Sequence, residues 1–416
     1  MISHLGISKA RLALILGALA MLGPFSIDTV FPAFAVMQAE LGVDKVAMQQ
    51  TISFYLLGYA AMSLFHGPLS DALGRKPVIL VGLAVFALAS VGCALSMSMS
   101  QMLFFRIVQG LSAGVGLIVG RAIVRDALEG DDAQRLMSHI SMIFGIAPAL
   151  APIVGGWILG WRDWQAIFWF LVAFSILLLV LSATVLPESH PPEKRLPLNV
   201  RALAQGYGRI VSNRRFRLLA YAGTANFGAL FLYIASAPAF VLDLLHLRED
   251  QFGWFFAPTI GGMVLGAFVS GKAAGKVSGT RLANVGFLAC GLSAAFNIAY
   301  CLWSPQLHLP WAIVPTVLCA FGIALVFPIL TIAILDMYPQ QRGGASSVQA
   351  FVGLMSNAFI AGVLSPLLSD SGLHLAIGAT CFTVVAYGMW RWYLAHAERP
   401  PQGSAEAASF EPTDEL

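Results

Sequence analysis

The chain has 416 residues, of which 58% are hydrophobic and only 11% charged, and its formal net charge is +3. Soluble domains carry about 25% charged residues. The shortage, with apolar runs along the whole length, excludes a soluble globular protein and points to a polytopic membrane protein. The few basic residues are dispersed among the connections, which speaks for membrane orientation and against nucleic-acid binding.

A helical span needs about 20 apolar residues plus a short connection, so a chain of this length holds roughly twelve. The first apolar run follows Lys9 and Arg11 and continues to about Phe34. That exceeds the core of a signal peptide, so it reads as a retained span. Spans are expected near 11–35, 47–66, 77–98, 102–123, 137–159 and 165–186, then near 216–241, 252–271, 281–303, 311–335, 344–368 and 373–394. Breaks such as Glu40-Leu41-Gly42-Val43-Asp44-Lys45 and Ser304-Pro305 separate them. The expected fold is all-α and integral to the membrane, with twelve transmembrane helices in two six-helix bundles. Residues 1–186 form the first bundle, 187–215 a polar cytoplasmic linker, 216–398 the second bundle, and 399–416 a polar tail that reads as disordered.

Between spans two and three lies Gly67 to Pro77, GPLSDALGRKP. It is too charged to lie in lipid. Gly67 and Gly74 permit a tight turn. Asp71 is suited to the positive end of a helix from the other bundle, and Arg75 to pairing with Asp126 at the inner end of span four, near Arg121 and Arg125. A cytoplasmic gate and a plain topology signal both fit this loop. Gly271-Lys272-Ala273-Ala274-Gly275-Lys276, after the eighth span, is a weak echo of it.

Lysine and arginine gather on one side of the expected topology, with the Gly67–Pro77 loop, Arg125, Arg135, the 187–215 segment, Lys272, Lys276, Arg281, Arg342 and Arg399. The opposite side holds little beyond Lys45, Arg162 and Arg248. The positive-inside rule therefore puts both termini in the cytoplasm. Cys93, Cys290, Cys301, Cys319 and Cys381 all fall in apolar runs without a C-x-x-C pair, so neither a metal nor a redox site is expected.

Ionisable residues inside a bilayer are costly and usually functional. Asp28 in span one and Arg106 in span four fall at similar depth, toward the outer half, and can face one another across a cavity. The pair suits proton coupling, with Gln109 one turn from Arg106; a structural ion pair is the alternative. Span five carries Gly145, Pro148, Pro152, Gly155 and Gly156. Its prolines and glycines describe either a kinked, closely packed hinge that seals against ion leak or a purely structural helix. Tyr55, Tyr59, Asn226, Phe227, Phe231, Tyr233, Gln349 and Asn357 are polar or aromatic residues within spans and suit an amphipathic ligand, although each also suits packing. His66 and His139 are isolated, and no clustered nucleophile or acid–base constellation marks an enzyme.

GPLSDALGRKP resembles the loop motif of the major facilitator superfamily. RIVQG at 106–110 resembles the span-four motif of its proton-coupled members, and GIAPALAPIVGG at 145–156 the antiporter motif of its exporters. Ile27-Asp28-Thr29 with Pro32 resembles the acidic span-one motif of twelve-span drug:proton antiporters, and Leu186-Pro187-Glu188 is similar to the bicyclomycin/chloramphenicol-resistance (Bcr/CflA) branch. The resemblance implies a monomeric exporter of small amphipathic drugs or antibiotics in a bacterial inner membrane. It would need no cofactor and would be driven by the proton gradient. Asp28 would be the protonation site, Arg106 the coupling cation, and Asp71, Arg75 and Asp126 the gate. The neighbourhood of Phe25 is neutral where some multidrug members carry a further acid, which favours neutral or zwitterionic substrates. Export of a metabolite such as a sugar or amino acid on the same fold is the alternative.

Overall fold

The computed structural model describes residues 7–128, 130–195, 197–304 and 306–396; the tail expected over 399–416 lies outside them. Helices dominate, and no strand occurs among the described residues. Two compact units emerge, Met1–Val200 with Leu247–Gly253, and Arg201–His246 with Trp254–Leu416.

Helix α1 (Lys9–Asp28) starts at Ser8, whose hydroxyl accepts from the Arg11 amide at 3.4 Å. It stops at Asp28 because Pro32, four residues on, lacks an amide donor and disfavours α geometry just before it. The backbone tightens there: Val30 N donates to Ile27 O at 3.4 Å. A 3-10 turn over Phe31–Ala33 leads into α2 (Phe34–Leu41), which ends on Gly42 at φ 65°. The first span thus runs over Lys9–Leu41 with an interruption beside Asp28, further than the expected 11–35.

Helix α3 (Lys45–Ser63) is capped by Asp44, which accepts from the Ala47 amide at 2.7 Å. Eleven stretches among the described residues are long and apolar enough to cross a membrane, and α3 is not one of them. It has 19 residues, but its first half carries Gln49, Gln50, Thr51 and Ser53. Gln49, Thr51 and Ser53 are buried. Thr51 Oγ1 donates to Met48 O at 2.7 Å, whereas Gln49 Oε1 is buried without a hydrogen-bond partner, and these polar side chains lower the apolarity of α3 below that of the other expected spans.

The Gly67–Pro77 loop is not the tight turn expected of it. Most of it is helix α4 (His66–Leu73), and Gly67 lies inside that helix. Only Gly74, at φ 103°, adopts a backbone that requires glycine. Helix α5 (Arg75–Ala94) follows directly. The fourth span is built from α6 (Met99–Ala113) and α7 (Val115–Ala127), which meet at Gly114. Helix α8 (Gly130–Leu159) runs through Pro148 and Pro152 as one element, and α9 (Gln165–Val185) completes the first set.

The connection after α9 divides between the two units. Its first part folds onto α5 and α7 through Glu188 and Ser189. Its second part forms α10 (Val200–Ser212), an amphipathic helix whose Ile210 is buried. The second unit continues through α11 (Arg214–Ala235), α12 (Gly253–Ala273), α13 (Gly279–Trp303), α14 (Val314–Asp336), α15 (Arg342–Phe359), the short α16 (Ser365–Leu368) and α17 (Gly372–Ala395). Wide π-type turns occur at Ala239–Leu244 and Ile360–Leu364.

Candidate functional site

In the first unit, α6 delivers Arg106 into a fully buried position, at 1% exposure. The guanidinium is held by neutral groups. Nη1 donates to Gln109 Oε1 at 2.6 Å, to Ser26 O at 2.9 Å and to Ser26 Oγ at 3.3 Å, and Nε donates to Thr51 O at 3.2 Å. The Ser26 carbonyl is free to accept because the tightened end of α1 sends the Val30 amide to Ile27 O instead. The Tyr55 ring lies 4.6 Å from the guanidinium carbon, within cation–π range. Gln109 passes the network on, its Nε2 donating to Ser90 Oγ at 2.8 Å, and Ser90 Oγ donates to Phe86 O at 2.7 Å.

Asp28 is not part of this network. It is 5% exposed, and among the described residues it forms no ion pair with Arg106 or any other cation. Asp28 follows Ser26, an acceptor of Arg106, by two residues in α1. Tyr55 donates to Gly23 O at 3.3 Å, and its ring meets that of Tyr59 edge-on at 6.4 Å. The structural ion pair that was the alternative for Asp28 and Arg106 does not form among the described residues. Arg106 finds enough acceptors in α1, α3 and its own helix, and Asp28 is left without a counter-charge.

Close approach of helices needs the glycines. A Cβ on Gly110 would run into the Tyr55 carbonyl, and one on Gly155 into the Thr29 carbonyl. Gly155 therefore seats α8 against the interruption that follows Asp28. A Cβ on Gly156 would lie 2.6 Å from Glu249 O, which ties α8 to the 3-10 turn Glu249–Gln251. Pro152 is buried and Pro148 half-buried, whereas Gly145 has nothing within 4 Å of its Cβ position. Phe25 faces Phe170 and Phe174, with ring centroids 6.3 and 5.7 Å away, so its surroundings are aromatic.

At the loop end of the same unit, Arg75 gathers two carboxylates. Nη1 lies 2.5 Å from Asp71 Oδ1 and Nε 2.9 Å from Asp126 Oδ2. Arg75 Nη1 also donates to Ser70 Oγ at 2.6 Å. Arg125 is exposed on α7. Glu188 and Ser189 are members of this cluster that the chemistry of the sequence did not reveal. Glu188 accepts from the Arg75 amide at 3.0 Å and the Lys76 amide at 3.2 Å, closing the first turn of α5. Ser189 Oγ donates to Asp126 Oδ2 at 3.0 Å. The one signal available was the Leu186-Pro187-Glu188 ending itself, an acid directly after an apolar run.

In the second unit, Tyr233 OH accepts from Asn297 Nδ2 at 2.7 Å beside a small cavity also lined by Ser293, Thr316 and Thr383. Phe227 and Phe231 stack at 6.0 Å. Gln349 Nε2 donates to Thr331 Oγ1 at 3.0 Å, and Asn357 is buried at 9% exposure. Asn226, at 1% exposure, has neither side-chain Nδ2 nor Oδ1 bonded. Among the described residues no group of three His, Cys, Asp or Glu is placed to hold a metal ion.

The profile of the Major Facilitator Superfamily matches residues 14–366. The chain is 27% identical over 383 residues to a bicyclomycin resistance protein homolog of Haemophilus influenzae, covering 90% of this chain and 94% of the relative. It is 28% identical to multidrug resistance protein D of Escherichia coli, over 88% and 90% of the two chains. With the E. coli multidrug resistance protein MdtL it shares 30% identity over 67% of this chain and 71% of the relative. The D-xylose–proton symporter has the same fold, with a TM-score of 0.70 at 14% identity over 92% of this chain and 97% of that one. The human organic anion transporter MFSD10 superposes with a TM-score of 0.65 at 21% identity, over 93% and 99%.

Proposed function

This chain belongs to the major facilitator superfamily, as a multi-pass membrane transporter of small molecules and not an enzyme, and from that premise we propose a proton-coupled antiporter that exports small amphipathic drugs or antibiotics by alternating access. The names of its bicyclomycin- and multidrug-resistance relatives support the substrate class. Asp28 carries the reading. It is a buried carboxylate beside a helix interruption, with no ion-pair partner among the described residues. An ionised carboxylate in such a place is costly, so it exchanges its proton as its surroundings change. Interrupted helices recur at the coupling sites of transporters.

Arg106 supplies the second component. Ser26, one of its acceptors, lies two residues before Asp28, and the Tyr55 ring stands 4.6 Å from the guanidinium carbon. A shift of α1 against α6 changes the contacts of both at once. The proton gradient provides the energy, and the potential adds about 2.3 kcal/mol per charge per 100 mV. The Arg75 cluster acts as the cytoplasmic gate, with Asp71, Asp126 and Glu188 exchanging partners between states. The protein lies in a bacterial inner membrane as a monomer with both termini inside, in keeping with the bias of Lys and Arg. The aromatic surroundings of Phe25 favour neutral or zwitterionic substrates.

The test is a susceptibility panel in an efflux-deficient host, comparing the native protein with Asp28→Asn. Raised tolerance to at least one amphipathic antibiotic, lost in the variant, supports the reading. A native protein that alters no susceptibility points to export of a metabolite instead.

A further inference from the structure

In the second unit α11 and α17 pack antiparallel. A Cβ at Gly228 would lie 3.1 Å from Phe382, and one at Gly378 2.9 Å from Leu232. At one end of this seam Arg214, in the first turn of α11, lies with its guanidinium carbon 5.0 Å from the ring of Trp392 on α17. Arg215 follows it in the first turn of α11 and is half-buried. Arg214 and Trp392 are both exposed, and Arg214 has no carboxylate partner among the described residues. Arg217, also exposed, adds a charge of the same sign one turn along.

The seam continues as an apolar surface. Tyr221 lies two turns from Arg214 on the same face of α11, and Val385 two turns before Trp392 on the same face of α17. They are 47% and 49% exposed. Two turns are about 10.5 Å, so paired arginines and aromatic rings at one level give way to an exposed apolar strip at the next. Arginine with tryptophan is the pairing expected at the headgroup level of a bilayer.

We propose that the α11/α17 seam binds an acidic phospholipid, its phosphate held by Arg214 in the positive field to which Arg215 and Arg217 add, and one acyl chain laid along Tyr221 and Val385. The planar guanidinium, steadied by the Trp392 ring, presents its remaining N–H groups to phosphate oxygens. Basic recesses between helices are lipid headgroup sites in general.

The test reconstitutes the full-length protein into vesicles of brominated-chain phosphatidylglycerol, brominated-chain phosphatidylcholine, and mixtures of the two. The chain has nine tryptophans, so the Trp392 signal is taken as the difference between the native protein and Trp392→Phe. Quenching should favour phosphatidylglycerol by about fivefold for each arginine engaged. The preference should persist in Arg214→Lys/Arg215→Lys and vanish in Arg214→Gln/Arg215→Gln, with quenching in phosphatidylcholine unchanged as the check of folding. Equal quenching by both lipids in the native protein, or a preference that survives the double glutamine substitution, would overturn the proposal. So would a preference that emerges only on removal of residues 397–416, which include Glu398, Glu406, Glu411, Asp414 and Glu415, since these acids would then be the occupants.

Discussion

Arg106 Nη1 and Gln109 Oε1 are 2.6 Å apart on one turn of α6, and neither side chain is more than 1% exposed. The cation therefore takes one acceptor from its own helix, and α1 and α3 supply the others. Gln109→Ala removes this acceptor and also the donor to Ser90. A lost hydrogen bond to a buried charge costs about 1.5–3 kcal/mol, so the variant should unfold at lower temperature in detergent, while Gln109→Glu keeps the acceptor and recovers most of the loss. A Gln109→Ala protein as stable as the native one would show that Ser26 and Thr51 suffice.

Asp28→Asn should leave stability intact and abolish drug-driven proton release in inverted vesicles. The side chain keeps its volume and no ion pair is sacrificed, since none is present among the described residues. Melting curves and a pH-sensitive dye check the two halves of this expectation separately. Full proton release by the variant would move the coupling site elsewhere.

Two glycines of the proline-containing helix α8, Gly145 at its middle and Gly155 near its C-terminal end, should respond oppositely to one added methyl group. Gly145→Ala meets nothing within 4 Å and should gain up to about 1 kcal/mol from helix propensity. Gly155→Ala drives its Cβ into the Thr29 carbonyl and should cost about 1–3 kcal/mol by forcing α8 off α1. Thermal unfolding of the two variants side by side reads the difference. Equal melting temperatures would mean that the interruption after Asp28 yields easily.

Glu188→Ala strips the first turn of α5 of its acceptor and should cost about 1 kcal/mol. Ser189→Ala should cost less, because Asp126 retains Arg75. If Glu188 belongs to the gate, its alanine variant should also label faster at a cysteine placed at Ser70, which is buried in the native protein. Unchanged labelling would confine Glu188 to capping.

Span positions were legible along the chain because hydropathy is a sum over neighbouring residues, and lipid selects on that sum. Asp28 and Arg106 were legible for the same reason, as charges where charges are rare. Their relationship was not. Depth in a bilayer follows from counting residues, but the face of a bundle and the acceptors left free there do not. Arg106 reaches Ser26 across 80 positions, and Glu188 reaches the Arg75 amide across 113. Ser26 O became available where the end of α1 tightens and the Val30 amide turns to Ile27 O. Helix α3 shows the converse: its glutamines weaken the membrane signal, yet three neighbouring polar residues, Gln49, Thr51 and Ser53, are buried in protein. A local sum registers composition, whereas a partner is chosen by packing between segments far apart in the chain.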